Sequence, residues 1–326
     1  MISFLSKERT LALRGLLALM VLICHLHGRV KLFSNSILGT LFTAFGYLAV
    51  SVFFFLSGYG LTENYEKDNH AINKFHKTKI FPFFLICCIA ILIYTLRDLL
   101  SGSFDLVVFI QSFFIGKTIV DYGWYLQTQL LLYILFYIAF GFVTKRKLLS
   151  ISLFVLVYVI ACYCFKLSST WYESVICFVL GVVVSQYKCK FVNFLNKKRT
   201  ILLSSICVFI LFIVTLYFGN KAILSYPIRV IVKMISSVSF TLLVVMFIAI
   251  IKVDNAITTF LGKISLEIYI LQGLILNIYK NVIIISNDWI YIVVTMVSVV
   301  VVSFVAHPVF AKINRIGKVK NKILKG

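Results

Sequence analysis

Charge is scarce in this chain: Asp, Glu, Lys and Arg make up 13% of its 326 residues, against about a quarter in a soluble globular domain. Acidic residues are the scarcest, 11 against 32 Lys and Arg. So few charges exclude a water-facing surface of ordinary extent. Proline occurs only three times. No Pro/Gly-rich linker, low-complexity tract or internal repeat divides the chain, so residues 1–326 read as a single transmembrane domain. The eight cysteines fall mostly within apolar runs and show no paired C-x-x-C spacing. They read as small apolar fillers, with no metal site expected. No small-residue cleavage site follows the first apolar run, and Ile23 before Cys24 spoils a lipoprotein reading. The basic start at Lys7 and Arg9 and the run behind it therefore read as a retained span rather than a signal peptide.

Apolar surface is abundant, with 61% of residues hydrophobic. A membrane helix needs about 20 mostly apolar residues. Such stretches recur near 10–27, 37–61, 80–96, 125–143, 149–164, 171–187, 201–218, 233–251, 264–284 and 289–310. The expected fold is all-α, a polytopic membrane bundle of about ten helices. Region 104–120 is apolar but interrupted by Gly116 and several polar residues, and reads as an external loop with a partly embedded segment. Cytoplasmic loops carry the excess of Lys and Arg. With the N-terminus inside, the inner segments hold 22 of the 32 basic residues and the outer loops seven. That bias predicts both termini in the cytoplasm. The net charge of +21 is explained by this topology, not by nucleic-acid binding, and the basic tail from Lys312 to Lys325 is placed to touch anionic membrane lipid.

Ionisable residues within spans are costly and mark functional sites by default. Arg14 and His25 share the first span; Glu173 and Lys233 stand at the starts of the sixth and eighth; Glu267 and Lys280 lie in the ninth. Eleven residues of helix turn through about 1100°, leaving Arg14 and His25 some 20° from superposition and about 16 Å apart along the axis. One face thus carries a cation toward the cytoplasm and an imidazole toward the outside. The plainer reading is that Arg14 snorkels to the headgroups and His25 sits at the interface. Glu267 could pair with Lys263 or Arg14, orient His25, or pair within its own helix.

The run LRGLLALMVLICH, from Leu13 to His25, resembles the Arg-x10-His motif that opens the transmembrane O-acyltransferases of acyltransferase family three. GYLAVSVFFFLSGYGL, from Gly46 to Leu61, is similar to that family's second span with its Ser-Gly-aromatic ending. KFHKTKIFP, from Lys74 to Pro82, resembles the basic stretch and proline that open its third span, with lysines where arginines are common. GWYL, from Gly123 to Leu126, looks like the Trp-aromatic-Leu pattern before a membrane helix. LGKISLEIYILQ, from Leu261 to Gln272, resembles the late Gly-x-x-Ser…Tyr-Leu-x-His motif, with Gln272 where many members carry histidine.

The resemblance implies transfer of an acyl group, usually acetyl, from cytoplasmic acyl-CoA to a hydroxyl of a glycan acceptor on a bacterial surface polysaccharide or its precursor. It implies a bacterial cytoplasmic membrane location, no permanently bound cofactor, and polysaccharide-biosynthesis proteins as neighbours. His25 is then base or nucleophile, and Arg14 holds a donor oxygen. Histidine suits the base role because its unperturbed pKa lies near neutrality. Lys74, His76, Lys77 and Lys79 are candidates to grip CoA phosphates, though positive-inside loop chemistry also accounts for them. Ser57, Gly58 and Tyr59 are candidates for close approach to the reacting groups, or simply for helix packing. Trp124, Tyr125 and Tyr269 are candidate sugar platforms, with Glu267 and Gln272 nearby in the pocket; interfacial aromatic belts are the alternative. The rival function is an exporter of polysaccharide or lipid-linked sugar, although the paired repeats and broken helices of secondary transporters are not evident. An in-membrane glycosyltransferase is a third reading, for which Asp98, Asp105 and Asp121 are a thin carboxylate set.

Overall fold

The computed structural model describes residues 5–31, 33, 36–220 and 223–323, with side chains given to Ile313. The basic tail beyond that point lies outside the described side chains. Among the described residues the chain is helical with no strand, as expected of a backbone that must satisfy its own hydrogen bonds in lipid. In order the α-helices are α1 Lys7–Val30, α2 Ile37–Lys67, α3 Phe81–Leu100, α4 Leu106–Gln111, α5 Trp124–Gly141, α6 Lys147–Cys164, α7 Ile176–Gln186, α8 Lys188–Leu195, α9 Lys198–Gly219, α10 Tyr226–Ile250, α11 Ala256–Lys263, α12 Ser265–Asn277 and α13 Asp288–Ile323. Nine helical stretches among the described residues are long and apolar enough to cross a membrane. A tenth is reached if α11 and Ser265–Val282, bent by 69°, count as one span. The predicted helix 264–284 is thus the second limb of a bent pair.

Local chemistry fixes several ends. Ser6 caps α1 by accepting the Arg9 N–H at 3.2 Å. Lys31 closes α1 in the left-handed conformation at φ 52°. Asn255 and Thr258 form a reciprocal capping box at the start of α11. Pro227 in the first turn of α10 gives up an N–H that has no helical partner there. That helix begins at Tyr226, not near 233, so Lys233 sits about two turns inside it. The sequence pattern misplaces the boundary because Arg229 and Lys233 read as loop charges. Lys233 is tolerated within the helix because Glu173 Oε2 lies 3.2 Å away and the Tyr47 ring lies 5.3 Å from its Nζ.

The chain forms two compact units, Met1–Lys67 with Val155–Ser265, and Asp68–Phe154 with Leu266–Gly326. In the first, α2 is the central helix, packed on α1, α7 and α10, while α9 lies on α10 and α11 on α1. Small residues permit close helix contact. A side chain at Gly262 would run into the Leu11 carbonyl, and one at Gly15 would lie 2.6 Å from the Thr258 carbonyl, so α1 and α11 touch backbone to backbone.

In the second unit Tyr94, fully buried on α3, donates its hydroxyl to the Ile270 carbonyl and accepts the Leu274 N–H, fixing α3 to α12. Tyr291 on α13 donates to the Leu276 carbonyl. Region 104–120 holds only the six-residue α4, about 9 Å of helix, too short to cross a hydrocarbon layer of about 30 Å. Its end is held by Gln127, whose Nε2 donates to the Ser112 and Phe114 carbonyls.

Candidate functional site

Arg14 and His25 lie on one unbroken helix, so their shared face holds as the 3.6-residue period requires. Arg14 is exposed and His25 is half-buried, with its Nδ1 buried. The His25 end of α1 is seated on the start of α2. Cys24 Sγ donates to the Thr43 carbonyl at 3.4 Å, and the His27 ring packs edge-on against Phe42 at 5.9 Å.

The antiparallel pairing of α1 and α2 places the Ser57–Tyr59 run. Cys24 faces Gly46, where a side chain would lie 2.9 Å from its sulfur. Moving back along α1 to Arg14 and forward along α2 to Ser57 covers about 15 Å in each case. Ser57, Gly58 and Tyr59 therefore share the depth of Arg14, not of His25. A side chain at Gly58 would collide with the Phe178 carbonyl, and one at Gly181 with the Phe55 carbonyl. Helix packing of α2 on α7 accounts for this glycine. Tyr59 is buried, stacks on Phe55 at 6.1 Å and lies beneath Lys188 Nζ at 6.0 Å. That lysine is bonded to Glu63 Oε2 at 2.6 Å. Of the two roles expected for this run, the contact with Phe178 gives the packing one, at the depth of Arg14.

In the second unit Lys74, His76, Lys77 and Lys79 occupy one stretch of 3-10 and π-helical turn, Asn69–Lys74 and His76–Ile80, leading into α3. Phe75 anchors it, stacked on Tyr137 at 6.0 Å and tilted on Phe136 at 5.7 Å. With Phe75 turned inward, Lys74, His76 and Lys77 are exposed and Lys79 is half-buried. A concentrated cationic surface results.

The aromatic candidates are differently placed than a sugar platform requires. Tyr125 and Tyr269 are 8% and 4% exposed, with ring centroids 4.9 Å apart. The Tyr269 hydroxyl donates to the carbonyl of Tyr122, a residue held at φ 62°. The pair braces the turn before α5 onto α12, and only Trp124 keeps a half-exposed ring. The same turn is held by Asp121, which accepts from Arg97 Nη1 at 2.7 Å and from Asn277 Nδ2.

Gln272 is fully buried, and its Nε2 donates to the Tyr269 carbonyl at 3.2 Å. Glu267 pairs with neither cation expected from sequence. Its Oε1 lies 2.7 Å from Nδ1 of His307 on α13, with the carboxylate side chain 4% and the imidazole 34% exposed. Two constellations were thus not legible in the sequence: Glu267 with His307, and Glu173 with Lys233. In each the partners stand tens of residues apart, and only the packing of helices joins them. Among the described residues no group of three or more His, Cys, Asp or Glu side chains is arranged to hold a metal ion.

Comparison with known proteins gives one whole-chain result. The family model described as an acyltransferase domain, of acyltransferase family 3, matches residues 12–307 and so runs from α1 through His307 on α13. No curated protein and no solved structure matched.

Proposed function

This chain belongs to acyltransferase family 3 and is a multi-pass membrane acyltransferase, and from that premise we propose that it moves acetyl from cytoplasmic acetyl-CoA to a glycan hydroxyl. The acceptor is a bacterial surface polysaccharide or its lipid-linked precursor, reached from the outer face of the cytoplasmic membrane. Both termini lie in the cytoplasm, in keeping with the Lys and Arg bias of the loops. The observation that carries this reading is the single face of α1, with Arg14 near its start and His25 about 16 Å further on.

The thioester is already activated, so the enzyme must position two reactants and remove one proton. An imidazole nitrogen of His25 accepts the proton of the acceptor hydroxyl. The freed oxygen attacks the thioester carbonyl, the carbon–sulfur bond breaks, and CoA thiolate leaves and takes up a proton. The Arg14 guanidinium, a planar fork with no proton to lose, holds an oxyanion of the donor. Lys74, His76, Lys77 and Lys79 supply charge for the CoA phosphates.

Purified wild-type protein with labelled acetyl-CoA and the glycan should transfer label. His25→Ala should abolish transfer while keeping the wild-type elution profile; near-wild-type turnover by this variant would overturn the assignment. Arg14→Lys should also lose most activity, because an ammonium cannot reproduce the fork.

A further inference from the structure

At one end of the first unit a polar cavity of about 190 Å³ lies where the end of α9 meets the start of α10, lined by Ser169, Asn220, Tyr226, Arg229 and Lys233. Two cations face this space. The carboxylate beside it, Glu173, is 1% exposed and is bonded to Lys233 Nζ at 3.2 Å and Ser169 Oγ at 2.8 Å. Its charge is therefore balanced by Lys233. Arg229 makes no ion pair among the described residues; its guanidinium lies 5.8 Å from the Tyr226 ring. The first turn of α10 adds its own positive end, since Ser225 makes no side-chain cap bond there. A half-buried guanidinium, a helix N-terminus and the Asn220 amide together favour an oxyanion over a neutral group.

The location gives the cavity a role. Tyr47, one turn along α2 from the Thr43 carbonyl that receives Cys24, meets the Ser236 hydroxyl at 3.2 Å and lies under Lys233 at 5.3 Å. The cavity wall and the His25 end of α1 therefore grip neighbouring turns of the same helix. The cavity sits at the depth of the imidazole, not of Arg14.

We propose that this cavity anchors an anionic group of the acceptor, the carboxylate of an acidic sugar or the phosphate of a lipid-linked precursor, so that a hydroxyl elsewhere on the acceptor reaches His25. This rests on the acyltransfer reading given above. Arg229 is the residue that sets the preference, because it alone in the cavity brings uncompensated charge.

The test is ligand-observed NMR on the purified full chain in micelles at moderate salt, which detects weak binding. Inorganic phosphate, D-glucuronate and neutral D-glucose are the probes, and Arg229→Gln is compared with the wild type at equal thermal stability. The wild type should bind phosphate or glucuronate in preference to glucose, and Arg229→Gln should weaken that binding about tenfold or more. Arg229→Lys should restore part of it. Preference for phosphate indicates a lipid-linked precursor; preference for glucuronate, an acidic sugar. Absence of anion preference, or equal binding by Arg229→Gln, overturns the proposal. If Arg229-dependent anion binding is present while labelled acetyl-CoA yields no transfer to any glycan, the acyltransfer reading fails and the anion site stands.

Discussion

Nδ1 of His307 lies 2.7 Å from Oε1 of Glu267, joining α13 to α12 between two predominantly apolar helices. A carboxylate that is 3% exposed requires a partner, because desolvating it alone is costly. The other oxygen, Oε2, is buried with no hydrogen-bond partner among the described residues. The imidazole therefore carries the stabilisation of this group.

Removing either side should show coupling. Glu267→Ala and His307→Ala are expected each to lower unfolding stability in micelles, and the double variant to lose less than the sum. The interaction energy should be about 0.5–3 kcal/mol. A strictly additive cycle would show that the contact contributes nothing.

Gly262 on α11 lies against the Leu11 carbonyl, three residues before Arg14. Gly262→Val forces the two helices apart and should destabilise the protein by about 1–3 kcal/mol. Because α1 carries both Arg14 and His25, turnover should fall further than the folded fraction does. Activity normalised to folded protein decides it, and an unchanged value would contradict the coupling.

The paired replacement Lys74→Gln with Lys77→Gln removes two exposed charges from the turn before α3. With CoA phosphates gripped there, KM for acetyl-CoA should rise several-fold with kcat little changed. The wild-type KM should also rise with salt more steeply than the variant's, since exposed charges are screened. Equal KM values at low salt would remove these lysines from donor binding.

At the start of α8 the Lys188 ammonium donates to Glu63 Oε2 at 2.6 Å, and this bond holds the Lys188 pKa above its ordinary value. For a group whose folded pKa is raised, the linked stability is present below the unfolded pKa and disappears as pH rises through the folded one. Wild-type melting temperature should therefore fall in the alkaline range above the usual lysine pKa. Glu63→Gln should flatten that part of the profile while leaving the neutral-to-acid side nearly parallel. An identical alkaline slope in the variant would show that another group titrates there.

Spans and the Arg14–His25 face were legible because both depend on local regularities, a run of apolar residues and a fixed helical period. The start of α10 was not, because Lys233 looks like a loop charge until Glu173, 60 residues earlier, is seen beside it. Ser57–Tyr59 carried a signal that serves two ends equally, since a glycine admits either a ligand or a neighbouring backbone; Phe178 supplies the backbone. The partner of Glu267 stands 40 residues away on another helix, beyond any periodicity. Tyr125 and Tyr269 were recognisable as aromatic, yet nothing in their spacing tells a brace from a binding face.

The contact between α1 and α11 also bears on how the protein is made. At eight residues, α11 is about 12 Å long, too short to enter a bilayer as an independent span. Its seat, the groove at Leu11 and Gly15, belongs to α1, which is synthesised well before it. Helix α1 must therefore wait in the bilayer, its glycine notch without α11, until α2 to α10 have followed. A nascent chain stalled before Ala256 presents that notch to whatever assembly factor or lipid is at hand.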